Sequence, residues 1–183
     1  MSSLEDLSNE LIYDLFDYLY YDDIYKGFRG LNQRFENLTA STSRMHADIT
    51  PLKFDSYYKY IFPEMKHRLA SLKFSNWDFS DSNQFWKQHP LAEFSNLYSL
   101  ILNGCLPSFR HALPTVKYLK IYDCRNFYTD FYSIKHVLKF CPNLKEFSFV
   151  LTGDNVIATS CEHLLAAFTK DNSIKFFLLF EAR

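Results

Sequence analysis

The sequence has few of the residues and spacings from which active sites and metal centres are built. Only four of its 183 residues are glycine, so it has no glycine-rich loop that could surround a phosphate group. The four cysteines, at positions 105, 124, 141 and 161, form no Cys-x-x-Cys pair, and no His-x-x-x-His pair occurs. The six histidines are scattered, with no recurring carboxylate or nucleophile spacing. We therefore predict a protein that is not an enzyme and that needs no metal and no cofactor.

Long hydrophobic runs are also absent. The segment "FFLLF" at 176–180 is among the longest apolar stretches, far below the roughly 18 residues needed to span a bilayer. The acidic start "MSSLEDLSNE" differs from a signal or transit peptide. We expect a cytoplasmic or nuclear protein without membrane association. Its cysteines are then expected to be reduced, structural thiols.

The charge is unevenly distributed along the chain. Residues 1–38 contain eight acidic and three basic residues, which gives −5, and the remainder has 13 acidic and 17 basic residues, which gives +4. This asymmetry predicts two functional halves. It is too weak to indicate a nucleic-acid partner, for which a strongly basic, clustered face is expected.

An apolar stripe predicts an amphipathic helix near the start of the chain. Its members recur every four residues, at Leu7, Leu11, Leu15 and Leu19. Ser8 can cap this helix, which we expect to run from about residue 9 to residue 19.

Two more short helices are expected before a polar connector at 39–44. Asp22 or Asp23 can cap the second helix, which ends near Phe28, and the third carries Leu31 and Phe35. Three helices within residues 1–44 make a poor core by themselves. The stripe therefore needs another surface to pack against.

A different pattern repeats in the second half of the chain. The arrangement apolar-x-x-apolar-x-apolar begins at five positions, Leu69, Leu97, Val116, Leu144 and Ile174. Recurrence at 20 to 30 residues is typical of stacked repeats in which each strand and its return segment bury a shared core. We predict a mixed α/β protein with a connecting segment at 45–66 and about five repeats at 67–183. The strands would be parallel, with return helices at 131–141 and 156–168.

One repeat carries a family resemblance. The stretch "VKYLKIYDCRNFYTDFYSIKHVLKFCPNLKEFSF", residues 116–149, resembles the cysteine-containing class of leucine-rich repeat. That class is commonly joined to an F-box, the three-helix module that docks onto the Skp-type adaptor of cullin–RING ubiquitin ligases.

Residues 7–38 in turn resemble an F-box. Matching positions include the stripe, the pair Asp23-Ile24, and the closing hydrophobic, basic and aromatic residues Leu31, Arg34 and Phe35. The chain departs from the family in having Ser8 where Pro is usual and Phe35 where Trp is frequent. The resemblance implies a substrate receptor of a Skp–cullin–F-box ubiquitin ligase. The adaptor-binding residues would be Leu7, Glu10, Leu11, Leu15, Phe16, Leu19, Asp23, Ile24, Leu31 and Phe35.

The repeats would then present an unknown target protein on their concave face. The side chains expected there are Lys73, Tyr98, Lys117, Tyr118, Lys120, Lys145, Lys175 and Phe176. A basic, aromatic surface of this kind suits an acidic or phosphorylated peptide segment. Alternatively, the cluster reflects the abundance of lysine and aromatic residues throughout the chain.

Two other functions stay open from the sequence. In one, the chain is a leucine-rich-repeat scaffold without a ligase role, and its N-terminal helices only cap the stack. In the other, the lysine-rich face binds nucleic acid. The segment "IKFFLLFEAR" adds a hydrophobic strand edge at the end of the repeats, which we expect a partner or a second copy to cover, unless the chain is a shortened relative of a longer repeat protein.

Overall fold

The structure is a computed structural model that describes residues 4–50, 62–75, 86–103, 112–122, 139–152 and 174–181. Within these residues, three helices precede a six-stranded parallel sheet. This confirms the predicted mixed α/β class with helices first and parallel strands after them. The predicted return helices fall largely in residues 123–138 and 153–173, outside the described residues.

The three predicted helices are present, with shifted ends. They are α1 (Asn9–Phe16), α2 (Tyr21–Phe28) and α3 (Gln33–Ser41), and a 3₁₀ turn at Leu4–Asp6 precedes them. The side chain of Ser8 accepts a hydrogen bond from the backbone N–H of Leu11, which confirms it as the cap of α1. Helix α1 ends three residues before the predicted position.

The predicted cap of α2 is wrong. The helix begins at Tyr21, with Tyr20 as its uncapped N-terminal neighbour, so both predicted capping acids lie inside the first turn. There Asp22 is buried and its carboxylate lies 3.7 Å from the Lys26 ammonium, one turn along the same helix. Helix α3 is capped by Asn32 and continues through Ser41, into the segment predicted as a connector.

The sheet contains one strand more than predicted. Its strands are β1 (Met45–Ile49), β2 (Leu69–Ser75), β3 (Ser99–Asn103), β4 (Tyr118–Tyr122), β5 (Glu146–Thr152) and β6 (Lys175–Glu181), and their order in the sheet is their order in the chain. Strand β1 lies in the predicted connecting segment 45–66. Its sequence Met-His-Ala-Asp-Ile alternates apolar and polar residues, and its burial alternates accordingly.

The predicted repeat pattern forms the core in β2 to β5. Leu72, Leu100, Leu119 and Phe147 are aligned across the four strands, and all are buried. A second aligned row consists of Phe74, Leu102, Ile121 and Phe149. The first apolar residue of each of these repeats also lies in this core.

The last repeat is one residue out of the predicted alignment. Phe176 pairs in register with the core residue Phe147, whereas Phe177 and Leu179 are each 43% exposed. Phe176 therefore occupies the strand position of a core residue, and the prediction that places it on the concave face is wrong. Every residue from 176 to 180 is apolar, so periodicity cannot distinguish the two faces, and pairing with β5 decides.

The helices and the sheet have separate hydrophobic cores that meet at α2. Ile12 and Phe16 of α1 pack with Ile24 and Phe28 of α2 and with residues of α3. Tyr21, on the same helix α2, is buried in the sheet core. The leucine stripe of α1 therefore borders the helical core and not the sheet core.

Arg68 fastens the end of α3 to the sheet. Its guanidinium donates hydrogen bonds to the backbone oxygen of Thr39 at 2.5 Å and to that of Thr42 at 2.7 and 2.9 Å. These carbonyls belong to the last turn of α3, where backbone oxygens have no partner within the helix. Burial lowers the pKa of Arg68. No helix in the described part of the chain is long and apolar enough to cross a membrane.

Candidate binding surfaces

The predicted adaptor-binding residues divide into a buried and an exposed group. Phe16, Ile24 and Phe35 are buried in the helical core, and Leu15 and Leu19 pack half-buried against it. The exposed residues are Leu7, Glu10, Leu11, Asp23 and Leu31. Only the second group is free to contact another protein.

Three exposed leucines form what we call the leucine patch. They are Leu7, Leu11 and Leu31, which are 37%, 52% and 57% exposed. Large apolar side chains with this exposure are unremarkable singly, but a cluster is typical of an interaction site.

Hydrogen bonds hold the two parts of the leucine patch together. The Arg34 guanidinium donates to the backbone oxygens of Glu5 and Leu7, and the Asn32 amide donates to the Glu5 carboxylate at 2.8 Å. These bonds hold the start of α3, which follows Leu31, against the segment before α1 that contains Leu7. From the sequence, Arg34 was expected only as the basic position of the family, and its positioning role was missed.

Acidic side chains lie on the same segment as Leu7 and Leu11. They are Glu5, Asp6, Glu10 and Asp14, and all are exposed. Hydrogen bonding to its own backbone N–H and to Ser8 holds the pKa of Glu10 below its ordinary value. A partner for this surface must therefore supply apolar contacts and accommodate negative charge on the same segment.

Two of the lysines predicted on the concave face are occupied by neighbours. The ammonium of Lys73 on β2 lies 2.8 Å from the Asp48 carboxylate on β1, and this hydrogen bond raises the pKa of Lys73. The ammonium of Lys120 lies 4.7 Å above the centre of the Tyr122 ring. Both contacts reduce the availability of these charges to a ligand.

The remaining predicted residues lie along the starts of β3 to β6. Tyr98, Lys117, Lys145 and Lys175 are exposed, and we call them the ladder row. Their backbones are joined directly, because each N–H donates to the oxygen of the preceding member at 2.8 to 2.9 Å. Tyr118, 42% exposed, packs edge-to-face against Tyr98 with ring centres 6.1 Å apart.

A groove of about 340 Å³ lies between the helices and the outward face of the sheet. It is lined by residues that include Tyr18, Tyr20, His46, Lys73 and Ile101. Tyr18 is 88% exposed, and its exposure is not predictable from the sequence, because a single tyrosine carries no periodic signal. Tyr20 also pairs with His46 in an isolated parallel bridge.

Metal-binding chemistry has no candidate in the described ranges. No group of three or more His, Cys, Asp or Glu side chains in them could hold a metal ion. Cys141 is buried in the sheet core, and burial raises the pKa of its thiol to about 12. This confirms the prediction of a structural thiol for Cys141; the other three cysteines lie outside the described residues.

Comparison with known proteins does not identify the chain. No family model, no curated protein and no solved structure matches it. Its function must be inferred from its own residues.

Proposed function

We propose that this protein is the substrate-receptor subunit of a Skp–cullin–F-box ubiquitin ligase. The helices would bind the Skp-type adaptor, and the outward face of the sheet would bind a target protein. The chain itself would perform no chemistry, and we expect it in the cytoplasm or nucleus. The observation that carries this proposal is the leucine patch, which stays exposed although the helices have a core of their own.

The leucine patch offers a hydrophobic contribution to binding. Fully burying a leucine side chain contributes about 1.5–3 kcal/mol, and these leucines retain between 37% and 57% of their exposure. Covering them would contribute about 1 kcal/mol each from area alone. Truncating an interface anchor costs more, about 2 kcal/mol or above, because the partner also loses its contacts.

The sheet supports the repeat part of the proposal. Its strands follow one another in chain order, all parallel, and four of them align the same apolar pattern. We infer that these units form a short leucine-rich-repeat solenoid. Each unit adds one strand whose outward residues can contact a target.

The second candidate is a leucine-rich-repeat scaffold with no ligase role, whose helices serve only as an end cap. It is favoured by the contacts of α2 with the sheet, because Tyr20 pairs with His46 and Tyr21 is buried in the sheet core. An end cap does not require an exposed leucine patch, so adaptor binding separates the two candidates.

The deciding experiment is co-expression with a Skp-type adaptor, followed by affinity capture and size-exclusion chromatography. Wild type should form a stoichiometric complex. The Leu11→Ala/Leu31→Ala variant should stay folded by circular dichroism and lose the complex, with an affinity loss of about 30-fold or more. Tyr18→Ala is the matched control, since it removes an exposed side chain outside the leucine patch.

Two results would contradict the proposal. A well-folded wild type that forms no complex would leave the capped scaffold as the better description. A complex that survives the double substitution unchanged would show that the leucine patch is not the adaptor surface.

A further inference from the structure

We infer that the ladder row receives an acidic segment of the target, with an apolar or aromatic residue seated on the tyrosines at its β3 end. The inference rests on the proposed function, because that function supplies the target to which the segment belongs. It concerns the ligand class of the surface formed by Tyr98, Tyr118, Lys117, Lys145 and Lys175.

The backbone fixes the spacing of these side chains. The N–H of Lys117 donates to Tyr98, that of Lys145 to Lys117, and that of Lys175 to Lys145, at 2.8, 2.8 and 2.9 Å. Lys117 and Lys145 hold equivalent positions on adjacent chain segments about 4.8 Å apart, whereas Lys175 pairs in register with Glu146 and lies one residue further along its strand. A short peptide crossing the strands can meet Lys117 and Lys145 together.

These lysines have no ion-pair partner in the part of the chain that the structure describes. The ion pairs there involve other lysines, namely Lys26, Lys66 and Lys73. Glu146 stands opposite Lys175 in the β5–β6 register, although their side chains do not form an ion pair. Lys117 and Lys145 are therefore two adjacent positive charges without an ion-pair partner among these residues, and carboxylates of a ligand would supply one.

The spacing of the charges favours a run of carboxylates over a single phosphate. In strands β2 to β6 every basic residue is lysine and none is arginine. Arginine binds one carboxylate or phosphate through two parallel hydrogen bonds, whereas lysine acts as a point charge on a flexible stem. Point charges spread over neighbouring chain segments suit several Asp and Glu side chains better than one phosphate group.

The aromatic end of the row supplies a second contact. Tyr98 and Tyr118 are 38% and 42% exposed and stand edge-to-face, next to Lys117. An apolar or aromatic side chain of the ligand can pack on this pair. The expected segment therefore carries one such residue followed by acidic residues.

The acidic helices define the opposite end of the molecule. They contact the sheet at β1, which lies three to four strand spacings, roughly 14 to 19 Å, from the lysines on β4 and β5.

The test measures binding of labelled peptides to the full chain by fluorescence anisotropy. The probe is a synthetic peptide of one tryptophan followed by a run of glutamates, and its control replaces every glutamate by glutamine. The Lys117→Glu/Lys145→Glu variant should weaken binding of the acidic peptide by about tenfold or more. The Lys87→Glu/Lys139→Glu variant is the matched control, because it makes the same charge change at exposed lysines outside the ladder row.

Equal weakening by the two variants, or equal binding of the glutamine peptide, would overturn the inference. So would tighter binding of a single-stranded oligonucleotide that competes at the same lysines, since the surface would then belong to nucleic acid. A tryptophan peptide bearing one phosphoserine and no glutamates should bind more weakly than the acidic peptide, and tighter binding would count against carboxylate recognition. The adaptor experiment is read separately. Adaptor capture without acidic-peptide binding would contradict this inference alone. Acidic-peptide binding without adaptor capture would contradict only the ligase role.

Discussion

Replacing Arg68 by Met should separate the folding of the helices from that of the sheet. The substitution removes three hydrogen bonds from a guanidinium to the carbonyls of Thr39 and Thr42, at 2.5, 2.7 and 2.9 Å. A hydrogen bond to a charged group contributes about 1.5–3 kcal/mol, and bonds that share one donor group are not additive. We therefore expect the free energy of unfolding to fall by about 3 kcal/mol.

Two optical probes can follow this effect during urea unfolding. Trp86 is buried in the sheet core, so tryptophan fluorescence includes a report on the sheet, while far-ultraviolet circular dichroism weights the helices. In the Arg68→Met variant the helical signal should be lost at a lower urea concentration than the fluorescence signal, so that the two unfolding transitions no longer coincide. Arg68→Lys keeps the charge but not the forked geometry, so it should give an intermediate loss.

Arg44→Met is the control, because Arg44 is exposed and lies two residues after Thr42 in the chain. Its effect should stay within about 0.5 kcal/mol, as for most surface substitutions. If Arg68→Met behaves like Arg44→Met, the guanidinium does not hold α3 to the sheet, and the reasoning from these contacts is refuted.

Two further predictions concern glycine positions and an ion pair. Gly30 has φ of +81°, so Gly30→Ala should lower the free energy of unfolding by about 1–2 kcal/mol. Gly27 lies inside α2 with no atom within 4 Å of an added Cβ, so Gly27→Ala should raise the free energy of unfolding by about 0.5–1 kcal/mol. Urea unfolding of both variants checks these opposite signs. The folded-state pKa of Lys73 is raised by its hydrogen bond to Asp48, so the stability that this pair contributes is present at neutral pH and is lost as pH rises above about 10.4 through the folded-state pKa. Wild type should thus be more stable than Asp48→Asn at neutral pH, and a difference that persists unchanged at strongly alkaline pH would contradict this origin.

The sequence predicted the elements whose burial follows a period. Four repeats form strands at the expected places. In each of them a core residue is followed two positions later by a second buried residue on the same face; the first residues are Leu72, Leu100, Leu119 and Phe147. The alignment of the last repeat was predicted wrongly, because consecutive apolar residues have no period that would distinguish the two faces of the strand. Strand β1 was missed because its alternating sequence lacks the arrangement apolar-x-x-apolar-x-apolar by which the repeats were recognised.

The sequence predicted which residues of the candidate surface are apolar, but not which of them are exposed. The period of α1 places Leu11 in the apolar stripe, yet Leu11 is 52% exposed while the neighbouring Ile12 is fully buried. Which of them is covered by the chain itself depends on where α3 packs. That packing is set by Arg34 and Arg68, whose hydrogen bonds reach 25 to 29 residues along the chain and leave no local pattern.

The strand order has a consequence for how the protein is made. Each strand of the sheet pairs only with its neighbours in the chain, so no strand has to wait for a distant one to be synthesised. The first site for growth is β1, where α2 already supplies Tyr21 to the core and Tyr20 to the strand edge. Once about fifty residues have left the ribosome, β1 is available for pairing. Each later strand can then pair with the strand before it, one at a time, in the order of translation.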